Sequence, residues 1–453
     1  MESALTSAAL PTPTTAANPS FERSDALRER FHAAIPGGAH TYAKGDDQFP
    51  EHMAPYVVRG EGCRVWDADG NEFIEFGAGL RSVTLGHAYP PVVAAAARQL
   101  GLGCNFGRPA VLELEAAEEF LDFTGAGDMV KFAKNGSDVT TAAVKLARAY
   151  TGRSLVAICQ DHPFFSVDDW FIGTTPVGTG IPSAIRELTL GFRYNDLGSL
   201  ETLLAAHPGQ VACVLMEVEK EVPPAPGFLE GVQALCRREG VVLIFDEIIT
   251  GLRWHNQGAQ GYYGIRPDLS TFGKALGNGF SVAALAGRRE LMERGGLHHP
   301  HERVFLLSTT YGAETHALAA ARAVMQVYRQ EPVVEHLRHM GQLLAQGLGQ
   351  SAREHGLSQQ VQALGQPCCL IYTTRDAQGQ HSAALRTLFL QETMRRGLLM
   401  PSLIVNYSHT EAIIAQVLER LHEVLGVYRR ALDEGVEKYL HGQPVKSVYR
   451  RYN

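Results

Sequence analysis

The stretch STFGKALGNG, residues 270–279, carries one lysine, Lys274, among small residues and turn-forming glycines. Because small residues leave space, a bulky group can approach the amine of Lys274 from several sides. Upstream, the unbroken apolar run Val241–Phe245 ends at Asp246. Such a run is typical of a parallel strand that is buried on both faces. The two segments therefore predict an α/β fold in which Lys274 follows a buried strand that ends in an acid.

Apolar runs alternate with helical patterns along the middle of the chain, at 155–158, 211–216, 241–245 and 283–286. This alternation predicts a mostly parallel, doubly wound sheet. Ligands of such sheets gather at the carboxyl ends of the strands, so we expect Asp246 to point into a site. A strand-end acid and a lysine in a glycine-rich turn are what pyridoxal phosphate (PLP) requires: a carboxylate against the pyridinium nitrogen and an amine for the Schiff base.

Longer motifs around these residues carry a resemblance to a known family. The segments LIFDEIITGLR (243–253), GIRPDL (264–269) and FGK (272–274) occur in this order. With them the chain resembles the class III aminotransferases of PLP fold type I, and within that family it is most similar to the glutamate-1-semialdehyde aminomutase branch. The resemblance extends roughly from residue 25 to residue 425.

The resemblance also implies a domain organisation. It implies a large domain whose mostly parallel, seven-stranded-type sheet lies between helices, and a smaller α+β domain made of the N- and C-terminal parts. We therefore expect small-domain segments at 21–88 and 331–453 on either side of a large PLP-binding domain at 89–330. Residues 1–20 are rich in Ala, Thr, Pro and Ser and predict a flexible tail.

Composition limits the classes of partner. The 453 residues carry a net charge of −7, so the chain lacks the basic excess that nucleic-acid binding would need. We expect small-molecule partners, here an amino donor and a carbonyl acceptor. No apolar run approaches the ~18 residues of a membrane span, so no membrane association is expected.

The cysteines and the N-terminus indicate a compartment. Seven cysteines are an odd number and form no CxxC pair, which favours neither a disulfide framework nor a zinc site. The first twenty residues lack the basic start and apolar core of a signal peptide. We therefore expect a cytoplasmic protein. The histidine-rich segment 298–301 is interpreted as a surface loop, and no metal site is predicted.

The segment FAKNGSD, residues 132–138, leads into a helix predicted to begin near Val139. Gly136 and Ser137 would then present backbone N–H groups and a hydroxyl at a helix N-terminus, which attracts anions. The resemblance implies that the cofactor phosphate binds here, although the family usually has Ser-Gly-Thr in this place. Asp138 is expected to cap the helix rather than face a phosphate. The alternative is a helix cap with no ligand.

Three further cofactor residues are implied by the resemblance. Phe164 matches the aromatic residue that stacks on the pyridine ring, although two adjacent phenylalanines are also common in a core. Thr309, in the stretch STTYG (308–312), matches the residue that reaches the partner subunit's phosphate, against the alternative of an ordinary polar strand end. That match predicts a homodimer with shared active sites. Glu217 ends the 211–216 run on the cofactor side, and its role is left open.

Two substrate residues are also predicted. Lys44 stands where the aminomutase branch usually has an arginine for the substrate carboxylate, and a lysine pairs with a carboxylate only as a point charge. Arg81 lies in GLRS (79–82), which replaces the usual tryptophan-containing stretch, and is the candidate carboxylate or polar-group binder. The alternative for Arg81 is an ordinary surface arginine.

The prediction for activity is a PLP-dependent transaminase. Lys274 would form the Schiff base and move a proton as base and acid in turn, while Asp246 keeps the ring nitrogen protonated. Two alternatives stay open: an intramolecular amino shift as in the aminomutase, and a catalytically silent PLP-binding scaffold. Departures from the aminomutase pattern at Lys44, at 79–82 and at 400–405, where an acid is missing, favour transamination.

Overall fold

A computed structural model of the chain describes residues 19–452. Most of the predicted tail, residues 1–18, lies outside the described residues. The described chain divides into two compact units. The larger unit takes Gly79–Leu85, Tyr89–Arg338 and the residues from Tyr449 onward, and the smaller unit takes the residues up to Ala78, Gly86–Ala88 and His339–Val448.

The strands and helices are numbered in chain order. The strands are β1 (Val57–Glu61), β2 (Arg64–Asp67), β3 (Glu72–Glu75), β4 (Met129–Ala133), β5 (Leu155–Cys159), β6 (Thr189–Phe192), β7 (Val211–Glu217), β8 (Val242–Glu247), β9 (Leu269–Phe272), β10 (Ala283–Gly287), β11 (Ala363–Leu364), β12 (Ile371–Tyr372) and β13 (Leu398–Leu399). The helices are α1 (Glu22–Ala34), α2 (Ala78–Arg81), α3 (Pro90–Leu100), α4 (Val111–Thr124), α5 (Gly136–Thr151), α6 (Asp169–Ile172), α7 (Ser183–Arg186), α8 (Leu197–Ala206), α9 (Phe228–Glu239), α10 (Gly258–Tyr263), α11 (Arg289–Met292), α12 (Thr315–Gln330), α13 (Val333–Glu354), α14 (Ala383–Arg395) and α15 (Glu411–Glu434).

A seven-stranded sheet forms the centre of the larger unit, in the order β4-β10-β9-β8-β7-β5-β6. The strands from β9 to β6 pair in parallel, whereas β10 is antiparallel to both of its neighbours. Every residue of β7 and β8 is buried, because both are continuous apolar runs with a helix layer available to each face. The predicted mostly parallel sheet is confirmed.

The helices of the larger unit complete the core around this sheet. On α5, Val139 and Leu146 are fully buried and share one apolar cluster with Ile244 of β8 and Leu285 of β10. Such a cluster removes the apolar faces of the helix and the sheet from water, and each Å² of apolar surface buried in this way stabilises the fold by about 25 cal/mol. It fixes α5 against the sheet, and so fixes where the helix begins.

The smaller unit is an α+β arrangement with a four-stranded sheet in the order β1-β2-β3-β13. The first three strands are antiparallel, and β13, from the C-terminal part, pairs in parallel with β3. The Asp67 carboxylate accepts the N–H of Asp69 at 3.0 Å and that of Asn71 at 2.8 Å, which closes the tight turn between β2 and β3. The smaller unit therefore has the α+β character that the resemblance implies.

Several elements differ from the sequence expectation. The strands β4, β6 and β9 and the helix α14 were not predicted, because their apolar runs are short or interrupted by polar residues. The helix α5 begins at Gly136 rather than near Val139. Among residues 19–452, no helix combines the length and the apolar character that crossing a membrane requires.

Candidate active site

Lys274 opens a 3-10 turn directly after β9. Its φ is 43°, a left-handed conformation that costs a non-glycine residue of order 1–3 kcal/mol and persists where neighbours impose it. The next residues supply that constraint, since the Asn278 side chain accepts the backbone N–H of Leu85 at 2.8 Å. The side chain of Lys274 is only partly buried. The turn therefore holds one lysine in a fixed position where a ligand can reach its amine.

Asp246 lies one residue before the end of β8 and is 4% exposed. Its Oδ1 accepts the N–H of Ile248 at 2.9 Å and the hydroxyl of Thr271 at 3.3 Å. Burial raises the pKa of Asp246 to about 6, against the opposing effects of the Ile248 N–H, the Lys274 charge and the Thr271 hydroxyl. The carboxylate is thus mostly ionised at neutral pH, and a cationic ligand group beside it would stabilise that form.

Glu247, the next residue, has a different role because successive side chains of a strand point to opposite faces. Its carboxylate accepts the N–H groups of Ala259 at 2.8 Å and Gln260 at 2.6 Å, and also the Thr250 hydroxyl. Burial raises the pKa of Glu247 to about 7. Glu247 therefore anchors the start of α10, and of the two acids Asp246 is the one whose pKa the Lys274 charge affects.

Glu217 ends β7 directly opposite Asp246 in the register of β7 with β8. It is 5% exposed, and no hydrogen-bond partner for its Oε2 exists among the described residues. Burial first, and then the negative charge of Asp246, raise the pKa of Glu217 to about 7 against the opposing positive charges of Lys220, Lys274 and Arg81. Two buried carboxyl groups therefore lie side by side at the strand ends.

His162 supports this edge of the sheet. Its Nδ1 accepts the backbone N–H of Glu217 at 3.1 Å, so the ring proton is on Nε2. Burial lowers the pKa of His162 to about 3, which keeps the ring neutral at physiological pH. The imidazole thus fixes the backbone of Glu217 without adding a charge to the site.

The start of α5 forms an anion-binding geometry. The Asn135 side chain accepts the N–H of Asp138 at 3.1 Å, and Asp138 accepts the N–H of Asn135 at 3.2 Å. This reciprocal pair uses two of the four N–H groups that a helix start leaves without helical partners. The two that remain belong to Gly136 and Ser137, the first two helical residues. The expected capping role of Asp138 is confirmed.

Ile248 brings the anion-binding helix start and the lysine turn together. A Cβ added to Gly136 would lie 3.3 Å from Cδ1 of Ile248, and a Cβ added to Gly273 would lie 3.1 Å from the same atom. Both distances are tighter than ordinary van der Waals contact. The two glycines therefore allow Ile248 to fit between the start of α5 and Lys274.

The loop after β5 is tied to the same helix start. The Ser137 hydroxyl accepts the N–H of Val167 at 3.0 Å, so its own proton is available to an anion. Phe165 is buried in the core, and Ser166 lies 3.1 Å from the hydroxyl of Thr141. Phe164 is 40% exposed, and its ring also packs edge-on against the buried Phe171, with the centroids 5.7 Å apart. Phe165 is thus fully a core residue, whereas Phe164 leaves part of its side chain accessible.

Arg81 lies in the left-handed turn α2, where its φ is 73°. The buried Arg253 donates from Nη2 to the Arg81 carbonyl and to the Thr84 hydroxyl, both at 2.9 Å. The positive charge of the Arg81 side chain acts to lower the pKa of Glu217, against the larger effect of burial. Arg253 thus holds in place the backbone that carries Arg81.

Two of the predicted residues lie outside this cluster. Thr309 is exposed, in an irregular loop that also exposes 59% of Tyr311. Lys44 belongs to the smaller unit, where it ends the 3-10 turn Tyr42–Lys44 with an exposed side chain. The structure therefore brings Lys274, Asp246, Glu217 and Arg81 together with the start of α5, and it describes Thr309 and Lys44 separately.

Sequence reasoning missed three residues that shape the site. Thr271 donates to Asp246, His162 fixes Glu217, and Arg253 supports Arg81. The signal for Thr271 was its position before the lysine turn, and that for Arg253 was a charge between the apolar residues Leu252 and Trp254. The sequence contains no signal that His162 lies beside Glu217.

Comparison with known proteins identifies the arrangement. Residues 44–175 and 187–425 match the model of the family described as aminotransferase class-III. The glutamate-1-semialdehyde 2,1-aminomutase of Desulforamulus reducens is 32% identical over 426 residues, which cover 88% of this chain and 97% of that protein.

Two solved structures are similar over nearly the whole chain. The FumI protein of Sphingopyxis sp. MTA144, solved in its PLP internal aldimine form, gives a TM-score of 0.84 at 25% identity and covers 94% of this chain and 99% of its own. An omega-transaminase from Sphaerobacter thermophilus gives a TM-score of 0.79 at 26% identity, and the match covers 89% of this chain and 97% of that protein. The similar proteins thus include both an aminomutase and a transaminase.

Proposed function

The chain belongs to the class-III aminotransferases, and from this membership we propose that it is a transaminase acting on an amino donor and a separate aldehyde or keto acceptor. It is a PLP-dependent enzyme, and PLP is its cofactor. When bound, PLP supplies an electron sink that makes the substrate α-proton removable. The alternative is the intramolecular amino transfer of the aminomutase branch.

Lys274 is the residue that binds the cofactor covalently in this proposal. Its fixed backbone and reachable amine support the assignment. The same amine, once released, would accept the proton from the substrate α-carbon and deliver it to the C4′ carbon of the cofactor, so it would act first as base and then as acid. In the register of β8 with β9, Asp246 lies opposite Thr271, three residues before Lys274, so the lysine turn follows the strand that pairs with the Asp246 strand end.

Asp246 holds the positive charge of the cofactor ring nitrogen in this proposal. Because the carboxylate is buried, water does not compete for it. At an effective dielectric of about 20, its attraction to a positive charge ~4 Å away is on the order of 4 kcal/mol. The N–H groups of Gly136 and Ser137 and the Ser137 hydroxyl would bind the phosphate. Phe164 would cover one face of the ring with the exposed part of its side chain, while its ring edge packs against Phe171.

Glu217 is assigned to the cofactor side of the same site. Its unpartnered Oε2 next to Asp246 is a buried polar atom that an apolar ligand would leave unsatisfied. A polar group of the bound cofactor or substrate gives this oxygen a partner. The assignment therefore follows from the requirement that buried polar atoms be satisfied.

We also propose that the active form is a homodimer. Large apolar side chains are exposed in two segments of the larger unit: Leu102 (74%), Phe106 (50%), Val111 (73%), Leu114 (60%) and Phe305 (68%). Exposed apolar residues concentrated in this way are typical of interaction surfaces. Thr309 lies four residues after Phe305 and would contact the phosphate in the partner subunit.

Transamination, rather than the mutase reaction, is favoured by the residues after β13. Leu403, Ile404 and Val405 are fully buried, so this segment offers no acidic side chain to a substrate where the aminomutase branch has one. An aminomutase must retain its diamino intermediate until the reaction is complete. A site that has lost polar holding groups favours release of the keto product and entry of a second substrate.

Arg81 and Lys44 are the proposed carboxylate-binding residues for these substrates. The position of Arg81 near Glu217 supports the first assignment, and the exposed amine of Lys44 is compatible with the second. All seven cysteines are free thiols, which supports the cytoplasm as the compartment.

Two parallel incubations test the proposed reaction. One supplies glutamate-1-semialdehyde alone, and the other supplies an amino donor together with a separate aldehyde or keto acceptor. The proposal predicts amino exchange in the second incubation and little isomerisation in the first. Efficient isomerisation without exchange would establish the aminomutase reaction instead.

A further inference from the structure

We propose that Cys104, Glu314 and His316 form a binding site for a thiophilic divalent cation such as Zn²⁺. One potential ligand atom from each side chain lies within 4.8 Å of the other two. Thiolate, imidazole and carboxylate are the ligand types that Zn²⁺ uses, and three protein ligands leave the fourth position to water. The cluster lies in the larger unit, between the loop after α3 and the start of α12.

The backbone that carries these ligands is held in place by direct hydrogen bonds. Thr315 donates its N–H to the Cys104 carbonyl and its hydroxyl to the Gly103 carbonyl, both at 3.0 Å. Gln99 donates from Nε2 to the Gly103 carbonyl and to the Thr315 hydroxyl, both at 3.1 Å. Two segments that are far apart in sequence are thus joined before any cation binds, which lowers the cost of assembling the site.

The polar atoms of the cluster leave coordination positions available. Oε2 of Glu314 lies 2.5 Å from the Lys134 ammonium, so Oε1 is the oxygen that could bind a cation. Nδ1 of His316 is buried and has no hydrogen-bond partner among residues 19–452. The His316 ring packs edge-on against Phe280, with the centroids 6.3 Å apart, which restricts its orientation. Because the Lys134 ammonium already pairs with Glu314, it would compete with a bound cation for that carboxylate.

The separation of the ligands suits a small cation. Tetrahedral zinc with bonds of about 2.0–2.3 Å places its ligand atoms about 3.3–3.5 Å apart. The ligand atoms of the three side chains lie at most 4.8 Å apart. Each side chain would therefore have to move by on the order of 1 Å to bind zinc, which small rotamer changes allow. All three residues are only partly buried within the single chain.

Zinc loading of the PLP-bound enzyme tests the site. The protein is dialysed against a chelator, reloaded with ZnCl₂, and examined by elemental analysis and zinc K-edge X-ray absorption. We expect one zinc per chain with one sulfur ligand at about 2.3 Å. Cys104→Ser should lose the sulfur signal and most of the zinc. Lys134→Met should bind zinc several-fold more tightly, because the competing ammonium is gone.

The controls separate this site from adventitious binding. His316→Gln provides a second ligand variant, and circular dichroism establishes that each variant folds. A double variant, His298→Ala with His301→Ala, removes the two exposed histidines of the histidine-rich segment 298–301 and should retain the zinc and its sulfur ligand. The proposal is overturned if the wild-type protein holds no zinc. It is also overturned if zinc has only nitrogen and oxygen ligands and is unaffected by Cys104→Ser.

Discussion

Replacing Asp246 by asparagine removes the negative charge that we assign to the cofactor ring nitrogen while keeping the size of the side chain. Asparagine can still accept the N–H of Ile248 through its amide oxygen, so the strand end should keep its shape. The lost interaction is a buried charge pair, worth on the order of 4 kcal/mol at an effective dielectric of about 20. If that interaction supports the reactive state of the ring, kcat should fall by about 10³-fold.

The neighbouring acid provides a matched control. Glu247 is as fully buried as Asp246, but it faces the start of α10 and accepts the N–H groups of Ala259 and Gln260. Glu247→Gln should lower the melting temperature and leave kcat within a few-fold of the wild type. PLP content is measured for both variants by absorbance before steady-state assays with one donor–acceptor pair. Wild-type kcat in Asp246→Asn with full PLP content would refute the assignment, and so would an equal loss in folded Glu247→Gln.

Three further predictions concern the rest of the site and the assembly. Arg81→Ala should raise KM for a carboxylate substrate about tenfold or more, because a charge-assisted hydrogen bond contributes about 1.5–3 kcal/mol. Arg81→Lys should recover part of the lost affinity, and an unchanged KM in both variants would remove Arg81 from the substrate site. The melting temperature of the PLP-free protein should rise more between pH 8 and pH 6 in the wild type than in Glu217→Gln. The pKa of Glu217 is raised to about 7, so as the pH falls the folded state binds a proton that the unfolded chain binds only near pH 4.5, and this stabilises the folded state. The same change in melting temperature with pH in both proteins would contradict this. Finally, activity should fall at the protein concentrations at which sedimentation experiments show that the dimer dissociates. A fully active monomer would exclude shared sites.

The central strand β8 and the lysine turn were predictable from local patterns. The Val241–Phe245 run and its terminal acid predict a buried strand with a polar end, and the structure places both as expected. The lysine turn was predictable because small residues surround Lys274, and its left-handed φ agrees with the turn chemistry. These features depend on a few consecutive residues, so no long-range information is needed to infer them.

The contacts that complete the site depend on residues distant in sequence. His162 reaches Glu217 only because β5 and β7 are neighbours in the sheet, and Arg253 reaches Arg81 across the fold of the larger unit. The candidate zinc ligands show the same limit, since Cys104 is far in sequence from Glu314 and His316 and the cysteine spacing indicated no metal site. Such pairings follow from strand order and loop packing, which periodicity does not encode.

Reduction of the PLP-bound protein with borohydride tests the central assignment most directly, because it makes a lysine–cofactor bond permanent. Digestion and mass spectrometry then locate the modified residue. The account predicts a single modified peptide that contains Lys274, and complete loss of the adduct in Lys274→Ala. Lys134, which lies close to the proposed phosphate-binding helix start, is the informative competitor, and Lys134→Met should leave the adduct on Lys274. An adduct that maps to another lysine, or one that persists in Lys274→Ala, would contradict the assignment of Lys274 as the residue that holds the cofactor.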